Sequence, residues 1–230
     1  MLFGLAVAVA TLALVSPLHE VSESTLSGHM LQHVLLGDIA PALLVVALRG
    51  PLTFFFLPAN VLRPLARRRR LRRMLAWLLR PKVSFSVWAV SLGLWHIPAA
   101  YDYALTQPLV HVLEHVSFML GGVLVWVQLV DPARRQALSR AGRLIYAVCL
   151  FAAGQALADV LVFAQPLYPS YDDPLFGLSP RSDQQLAGLV MLVEQTVALT
   201  ICAAFLLRPA VASPRPHVSR ARRLSAASAR

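Results

Sequence analysis

Long apolar runs separated by short polar connections dominate this chain. The runs lack the alternation of a half-buried strand, and a helix needs about 20 apolar residues to cross a bilayer. A membrane span must satisfy its backbone hydrogen bonds internally, which favours helices over a barrel when alternation is missing. The pattern therefore predicts an all-α membrane protein. We expect a bundle of six transmembrane helices at about residues 2–18, 29–48, 83–103, 109–130, 143–164 and 186–207.

Composition supports a membrane protein over a soluble one, since 57% of the residues are hydrophobic and 14% are charged. The six spans fit a single transmembrane helical domain over residues 1–208. The remaining stretch, 209–230, combines Pro, Ser and Ala with Arg, and is predicted to be a disordered, basic cytoplasmic tail.

The net charge of +10 is concentrated on one side of the predicted bundle. Of the 21 Lys and Arg residues, nine lie in the connection after the second span, four in the connection after the fourth, and six from residue 208 onward. The connections on the opposite side contain only Arg181. Because cytoplasmic connections are enriched in Lys and Arg, the asymmetry predicts that both termini are cytoplasmic. It also explains the positive charge without a nucleic-acid partner.

The basic connection between the second and third spans also carries apolar residues at helical intervals. Leu71, Leu75 and Leu78 are interleaved with arginines between residues 63 and 80. This pattern predicts an amphipathic helix on the cytoplasmic leaflet of the lipid bilayer, where each Arg gains about 1 kcal/mol from anionic lipid.

The placement of histidine carries most of the information about function. His29 and His33 open the second span and His111 and His115 open the fourth, each pair with the four-residue spacing that puts two side chains on one helical face. His96 closes the third span. In the six-span topology all five lie near the extracytoplasmic ends of their helices. Other polar residues fall at the same level, namely His19, Glu114, Asp159 and Asp183.

A layer of imidazoles predicts a metal site. Neutral imidazole binds borderline and softer ions, and the five histidines supply up to five nitrogens. Met30 and Met119 lie beside the two pairs and add thioether sulfur, a ligand for copper(I). Imidazole with optional thioether and no cysteine favours copper, with zinc as the second choice. We expect Glu114 to be an accessory residue that orients an imidazole by accepting its second N–H.

The same residues allow other interpretations. His111-Val-Leu-Glu114-His115 matches the HxxEH pattern of zinc proteases, in which Glu114 would act as general base. Haem ligation is disfavoured, because two histidines four apart on a helix would crowd one axial position. Taken singly, His96 or His19 is better explained as a hydrogen-bonding residue than as a ligand.

Three further expectations concern the surroundings of this layer. The connection 165–185 is the longest on the extracytoplasmic side, and we expect it to cover the bundle. Asp38 lies roughly 14 Å below the start of the second span, where we expect it either to form an interhelical hydrogen bond or to have a functional role. Pro41 should bend the helix. Transfer of an ion needs an exposed ligand, for which we expect His29 or His111.

Motifs along most of the chain resemble the polytopic CtaG family of cytochrome c oxidase assembly factors. The motifs are His29-Met30-Leu31-Gln32-His33, Ala40-Pro41-Ala42-Leu43-Leu44, Leu94-Trp95-His96-Ile97-Pro98 with Tyr101-Asp102, His111 with Glu114-His115-Val116-Ser117-Phe118, and Asp183-Gln184-Gln185-Leu186-Ala187-Gly188-Leu189. They run in order from the second span to the last, and five linked motifs are more specific than either histidine pair alone.

The resemblance implies a non-catalytic role in maturing a haem-copper oxidase in the bacterial plasma membrane. Delivery of copper to the oxidase catalytic subunit is the usual proposal for the family, and other assembly factors are further expected partners. The family's histidine positions correspond to His29, His33, His96, His111 and His115. A metal-free assembly scaffold is an alternative to copper delivery.

The chain departs from the family pattern in two places. After the Asp-Gln-Gln motif the family commonly has Met-Trp-Val-Pro, whereas this chain has Met191-Leu192-Val193-Glu194. The departure predicts the loss of a helix break and the gain of a carboxylate. Many members of the family also carry an additional N-terminal span.

Overall fold

The computed structural model describes residues 1–15, 17–48, 67–172 and 175–208, and within these ranges the secondary structure is helical throughout. In chain order the α-helices are α1 (Leu2–Val15), α2 (Pro17–Ser24), α3 (Leu26–Val34), α4 (Ala40–Ala47), α5 (Arg69–Leu78), α6 (Pro81–Trp95), α7 (Pro98–Thr106), α8 (Pro108–Val130), α9 (Arg140–Phe163) and α10 (Pro180–Leu207). A π-helical segment, Leu35–Ile39, joins α3 to α4. Two short 3-10 turns, Pro169–Tyr171 and Leu175–Gly177, lie between α9 and α10.

Four helical segments are long and apolar enough to cross a membrane: Leu26–Ala47, α8, α9 and α10. The count rises to six if α1 with α2, and α6 with α7, are each taken as one bent span. An all-helical membrane fold of four to six spans agrees with the prediction. The last span begins at Pro180 rather than near residue 186, because the hydroxyl of Ser179 accepts the N–H of Ser182 at 3.1 Å and caps α10.

Two predicted spans are bent. The first, predicted at 2–18, is helical as α1 and continues at 49° as α2. The third, predicted at 83–103, breaks after Trp95, and α7 leaves at 78° to α6. The expected effect of Pro98 accounts for the second break, because proline disfavours helical backbone at the residue before it and Ile97 is extended. The break leaves His96 inside the bundle at the end of α6.

Pro41 affects the second span through the π-helical segment rather than through a break. Proline has no N–H to donate to the carbonyl of Gly37, and the wider π-helical turn lies directly before it. Helix α8 approaches this segment closely at Gly122. A Cβ at Gly122 would lie 2.9 Å from the carbonyl carbon of Gly37 and from Cγ of Pro41. The second span and α8 can therefore pack this closely because residue 122 is glycine.

The connections between helices gather at two opposite ends of the bundle. We call one of them the arginine end, and define it by Leu79, the connection 131–139 and Arg208. There the Arg135 guanidinium donates to Leu79 O at 3.3 Å, and Arg140 donates to Arg208 O at 3.0 Å. The histidine end comprises the starts of α3, α8 and α10, helix α7 and the connection 164–179. The membrane side that each end faces stays a prediction, as does the location of both termini.

The amphipathic helix predicted at 63–80 is described only from residue 67 onward. Within that range α5 is helical and has no buried residue, so its apolar side chains are available to a surface. Its contact with the cytoplasmic leaflet stays a prediction. The tail predicted at 209–230 lies outside the described residues.

Candidate metal centre

The five predicted ligand histidines converge at the histidine end, although they come from three helical segments. His29 and His33 lie on α3, His111 and His115 on α8, and His96 at the end of α6. Ring centroids are 4.3 Å apart for His29 and His33, 5.3 Å for His29 and His111, 5.5 Å for His33 and His115, and 6.3 Å for His33 and His96. We call these five residues the histidine cluster.

Burial separates the cluster into two parts. His29, His33 and His96 are 1%, 6% and 7% exposed, whereas His111 and His115 are half-buried. The expectation that His29 is an exposed ligand is therefore wrong. The rings of Tyr101 and Tyr171 pack over this region, and Tyr171 is a buried residue of the connection that was expected to cover the bundle.

Asp183 positions the helix that carries His29 and His33. Its side chain is fully buried, and its two oxygens accept the N–H groups of Leu26 at 2.7 Å and Ser27 at 3.1 Å, together with the Ser27 hydroxyl at 2.5 Å. These N–H groups are among those that the first turn of a helix leaves unpaired. Asp183 thus ties the start of α3 to the start of α10, one turn from His29.

Tyr171 fixes the protonation of His29. Its hydroxyl donates to Ser22 O at 3.0 Å, and burial raises the pKa of this phenol, so it keeps its single proton. The Tyr171 oxygen lies 3.1 Å from Nδ1 of His29 and must accept from it. His29 Nε2 then carries a lone pair, and it lies 2.9 Å from Nε2 of His33.

Several buried polar atoms of the cluster have no hydrogen-bond partner among the described residues. They are Nδ1 of His33, Nε2 of His111, Nε2 of His115 and both carboxylate oxygens of Glu114. Glu114 is fully buried, and its Oε1 lies 3.5 Å from Nε2 of His33. Buried polar groups are nearly always paired, so this concentration of unpaired atoms indicates a site built for a ligand.

Two groups of three side chains within the described residues have ligand atoms within 4.8 Å of one another. One is His29, His33 and His115, and the other is His29, His111 and Glu114. Both groups share His29. Three nitrogens, or two nitrogens and a carboxylate oxygen, are donor sets that fit copper or zinc.

His96 lies beside these groups, where the break after α6 places it. Its Nδ1 lies 2.8 Å from Leu92 O, and its own carbonyl accepts from the hydroxyl of Tyr168 at 3.0 Å. Its Nε2 faces the sulfur of Met30 at 3.4 Å.

The remaining predicted accessory residues do not belong to either ligand group. Asp159 is exposed and accepts from Gln155 on its own helix at 2.7 Å. His19 is half-buried on α2, 3.6 Å from Glu23. Met119 is half-buried, one turn beyond His115 on α8.

Sequence reasoning missed the tyrosines and much of a polar contact deeper in the bundle. From the sequence, Tyr101 and Tyr171 could be recognised only as aromatic residues of interfacial or connecting segments, with no indication that they contact the histidines. Asp38 forms the predicted interhelical hydrogen bond, with Trp126 Nε1 as donor. Glu194 of α10 lines the same cavity as Asp38, and α10 runs through residue 194 without a break, as the departure from the family pattern predicted.

Fold and site together define a helical membrane protein with a cluster of histidines at one end, whose ligand atoms lie close enough together to hold a metal ion. The sequence profile of the family described as cytochrome c oxidase caa3 assembly factor (Caa3_CtaG) matches residues 1–213. The chain therefore belongs to the Caa3_CtaG family, as its motifs predicted. Searches among curated proteins and among solved structures found no match.

Proposed function

We propose that this assembly factor binds a copper ion in the histidine cluster and passes it to the catalytic subunit of a haem-copper oxidase. The observation that carries the proposal is the group of unpaired buried atoms on His33, His111, His115 and Glu114. Leaving each of them unpaired costs about 1–3 kcal/mol, and a bound cation would remove that cost.

The donor set supports copper as cargo. Imidazole nitrogens bind copper and zinc well, and copper stands above zinc in affinity for a given site of this kind. His29 can offer Nε2 because Tyr171 holds the proton on Nδ1. Zinc is the second choice, since the two ligand groups also fit it.

Release of the ion requires ligands that a partner can reach. His111 and His115 are half-buried, and the other three histidines are less than 8% exposed. We infer that exchange with the oxidase subunit begins at His111. The concentration of arginines at the opposite end supports a plasma-membrane orientation with the histidine cluster on the extracytoplasmic side.

Metal analysis of the purified protein tests the proposal. His33→Ala and His115→Ala each remove one ligand of the His29, His33 and His115 group. Each should lower copper affinity by more than about tenfold, because loss of even a hydrogen-bonding partner of a ligand costs 10–100-fold. Asp159→Asn changes an exposed carboxylate outside the cluster and should leave copper binding unchanged. Equal copper content in all four proteins would refute the proposal.

The HxxEH interpretation gives a second candidate function, a zinc hydrolase with Glu114 as base, and the full burial of Glu114 beside His33 favours it. Glu114→Gln separates the two functions. A copper carrier should keep its metal through the His29, His33 and His115 group, together with most of its support for oxidase maturation, whereas a hydrolase should lose activity.

A metal-free scaffold makes a third, distinct prediction. In that case His29→Ala and His115→Ala leave the copper content of the oxidase unchanged in cells. Copper delivery predicts that both variants lower it.

A further inference from the structure

Met30 and His96 make a contact that hydrogen bonding does not explain. Nε2 of His96 lies 3.4 Å from Sδ of Met30, and both side chains are buried, at 7% and 1% exposure. The two residues come from different helices, α6 and α3, and are far apart in sequence.

The protonation of His96 follows from its other nitrogen. Nδ1 lies 2.8 Å from the carbonyl oxygen of Leu92, which can only accept, so Nδ1 carries the proton. In a neutral imidazole Nε2 then has a lone pair and no hydrogen. The thioether sulfur has none either, so two electron-pair donors face each other in the interior of the bundle.

We propose that Met30 Sδ and His96 Nε2 form a second position for copper(I), separate from the two ligand groups that share His29. This proposal rests on the proposed function, because it concerns the same cargo. The position gives the ion a soft, thioether-containing place beside the imidazole-rich one.

The distance between the two atoms fits shared coordination. Metal–nitrogen and metal–sulfur bonds of about 2.0 and 2.3 Å place two ligands of one ion no more than about 4.3 Å apart. The observed 3.4 Å lies within that limit. Thioether is a soft ligand that selects copper(I) over zinc.

The surroundings also favour a singly charged ion. Met30, His33, His96 and Met191 line a cavity of about 130 Å³ whose other lining side chains are mostly apolar, with Asp38 and Glu194 as the two carboxyl groups among them. The cost of moving an ion into an apolar medium rises with the square of its charge, so a monovalent ion costs roughly a quarter as much as a divalent one. Neutral sulfur and nitrogen donors suit copper(I) for the same reason.

His33 supplies a third donor and a link to the other ligands. It lines the same cavity, and its Nδ1 has no hydrogen-bond partner in the described part of the chain. Its Nε2 belongs to the contact with His29 at 2.9 Å. The His33 imidazole thus borders both positions. Copper can move from one position to the other with His33 as the shared ligand, while the remaining ligands are exchanged.

X-ray absorption at the copper edge tests this position in the purified protein loaded anaerobically with copper(I). The wild type should show nitrogen scattering together with a sulfur contribution at about 2.3 Å. Met30→Leu conserves volume and should keep the fold and the copper of the imidazole ligands, but lose the sulfur contribution. Met119→Leu is the matched control, because Met119 does not line this cavity, and it should retain the sulfur contribution.

The outcomes separate the two proposals. Sulfur that disappears only in Met30→Leu supports the thioether position. Copper that is retained without sulfur in the wild type, or with sulfur that survives Met30→Leu, overturns this position and leaves the histidine site standing. A wild-type protein that retains no copper overturns both.

Discussion

Tyr171 acts on the histidine cluster through one oxygen atom. It donates to Ser22 O and accepts from His29 Nδ1, which leaves the lone pair of His29 on the nitrogen nearest to His33. His29 belongs to both ligand groups, so its protonation affects both of them.

Tyr171→Phe should therefore weaken copper binding without unfolding the protein. Removal of a group that orients a ligand histidine typically costs 10–100-fold in metal affinity, and we expect a loss in that range. Competition with a copper(I) chelator of known affinity measures it. Tyr103→Phe removes a phenol that is 58% exposed and should bind copper as the wild type does. Equal affinities for the two variants would show that Tyr171 does not orient His29.

Gly122 is important because it has no side chain where α8 packs against the second span. Gly122→Ala would place a methyl group against the carbonyl oxygen of Gly37 and 2.9 Å from its carbonyl carbon, and we expect a loss of about 1–3 kcal/mol in the free energy of unfolding. Gly93→Ala has no atom within 4 Å of the new methyl group and should be neutral or slightly stabilising. Thermal unfolding in detergent compares the two. A Gly122→Ala variant as stable as Gly93→Ala would contradict the close packing of α8 on the π-helical segment.

The sequence allowed the five histidines to be predicted because helical spacing and position within a span are local properties. The contact of Met30 with His96 could not be predicted, since it depends on the rotation of α3 relative to α6. The role of Asp183 was also missed. Its depth was predicted correctly, but the N–H groups that it accepts belong to Leu26 and Ser27, far away in sequence.

At the scale of elements, the start of α3 depends on another helix. Asp183 of α10 accepts the N–H groups of Leu26 and Ser27 and so caps the turn that carries His29. Asp183→Ala would leave the buried N–H of Leu26 and its neighbour unpaired. We expect a loss of about 2 kcal/mol or more in stability together with weaker copper binding, as the first turn of α3 loosens. Calorimetric unfolding and copper titration measure the two effects.

Ser139→Ala is the matched control for this cap. Ser139 accepts the N–H of Gly142 at 3.0 Å and caps α9 at the arginine end, away from the histidines. It should cost about 1 kcal/mol and leave copper affinity intact. If Asp183→Ala also bound copper normally, the cap would serve folding alone.

The effects of Pro98 and Pro41 on their helices could be predicted only in part from the sequence. Pro98 acts on its immediate neighbours, so the end of α6 near His96 followed from the sequence. Pro41 was expected to bend the second span, and the chain there forms a π-helical segment within one continuous helical span. Whether a helix absorbs a proline or breaks at it depends on the packing of neighbouring helices, which a single sequence does not contain.

At the scale of the whole molecule, the separation of arginines from histidines predicts an orientation in the membrane. Phe176 is 77% exposed in the connection at the histidine end, and Arg135 is exposed at the arginine end. In a background with Cys149 and Cys202 changed to Ala, Phe176→Cys should react in intact cells with a thiol reagent that cannot cross membranes. Arg135→Cys should react only after permeabilisation. The reverse pattern would place the histidine cluster on the cytoplasmic side.

The tyrosine cover over His29 has a consequence for the order of events in copper transfer. Tyr101 and Tyr171 close the cluster on one side, and His111 and His115 are its half-buried members. Loading and unloading then share one portal, on the face of α8. Under the proposed function, a copper donor and the oxidase subunit would compete for that portal, so transfer would follow a ping-pong order in which the first partner departs before the second arrives.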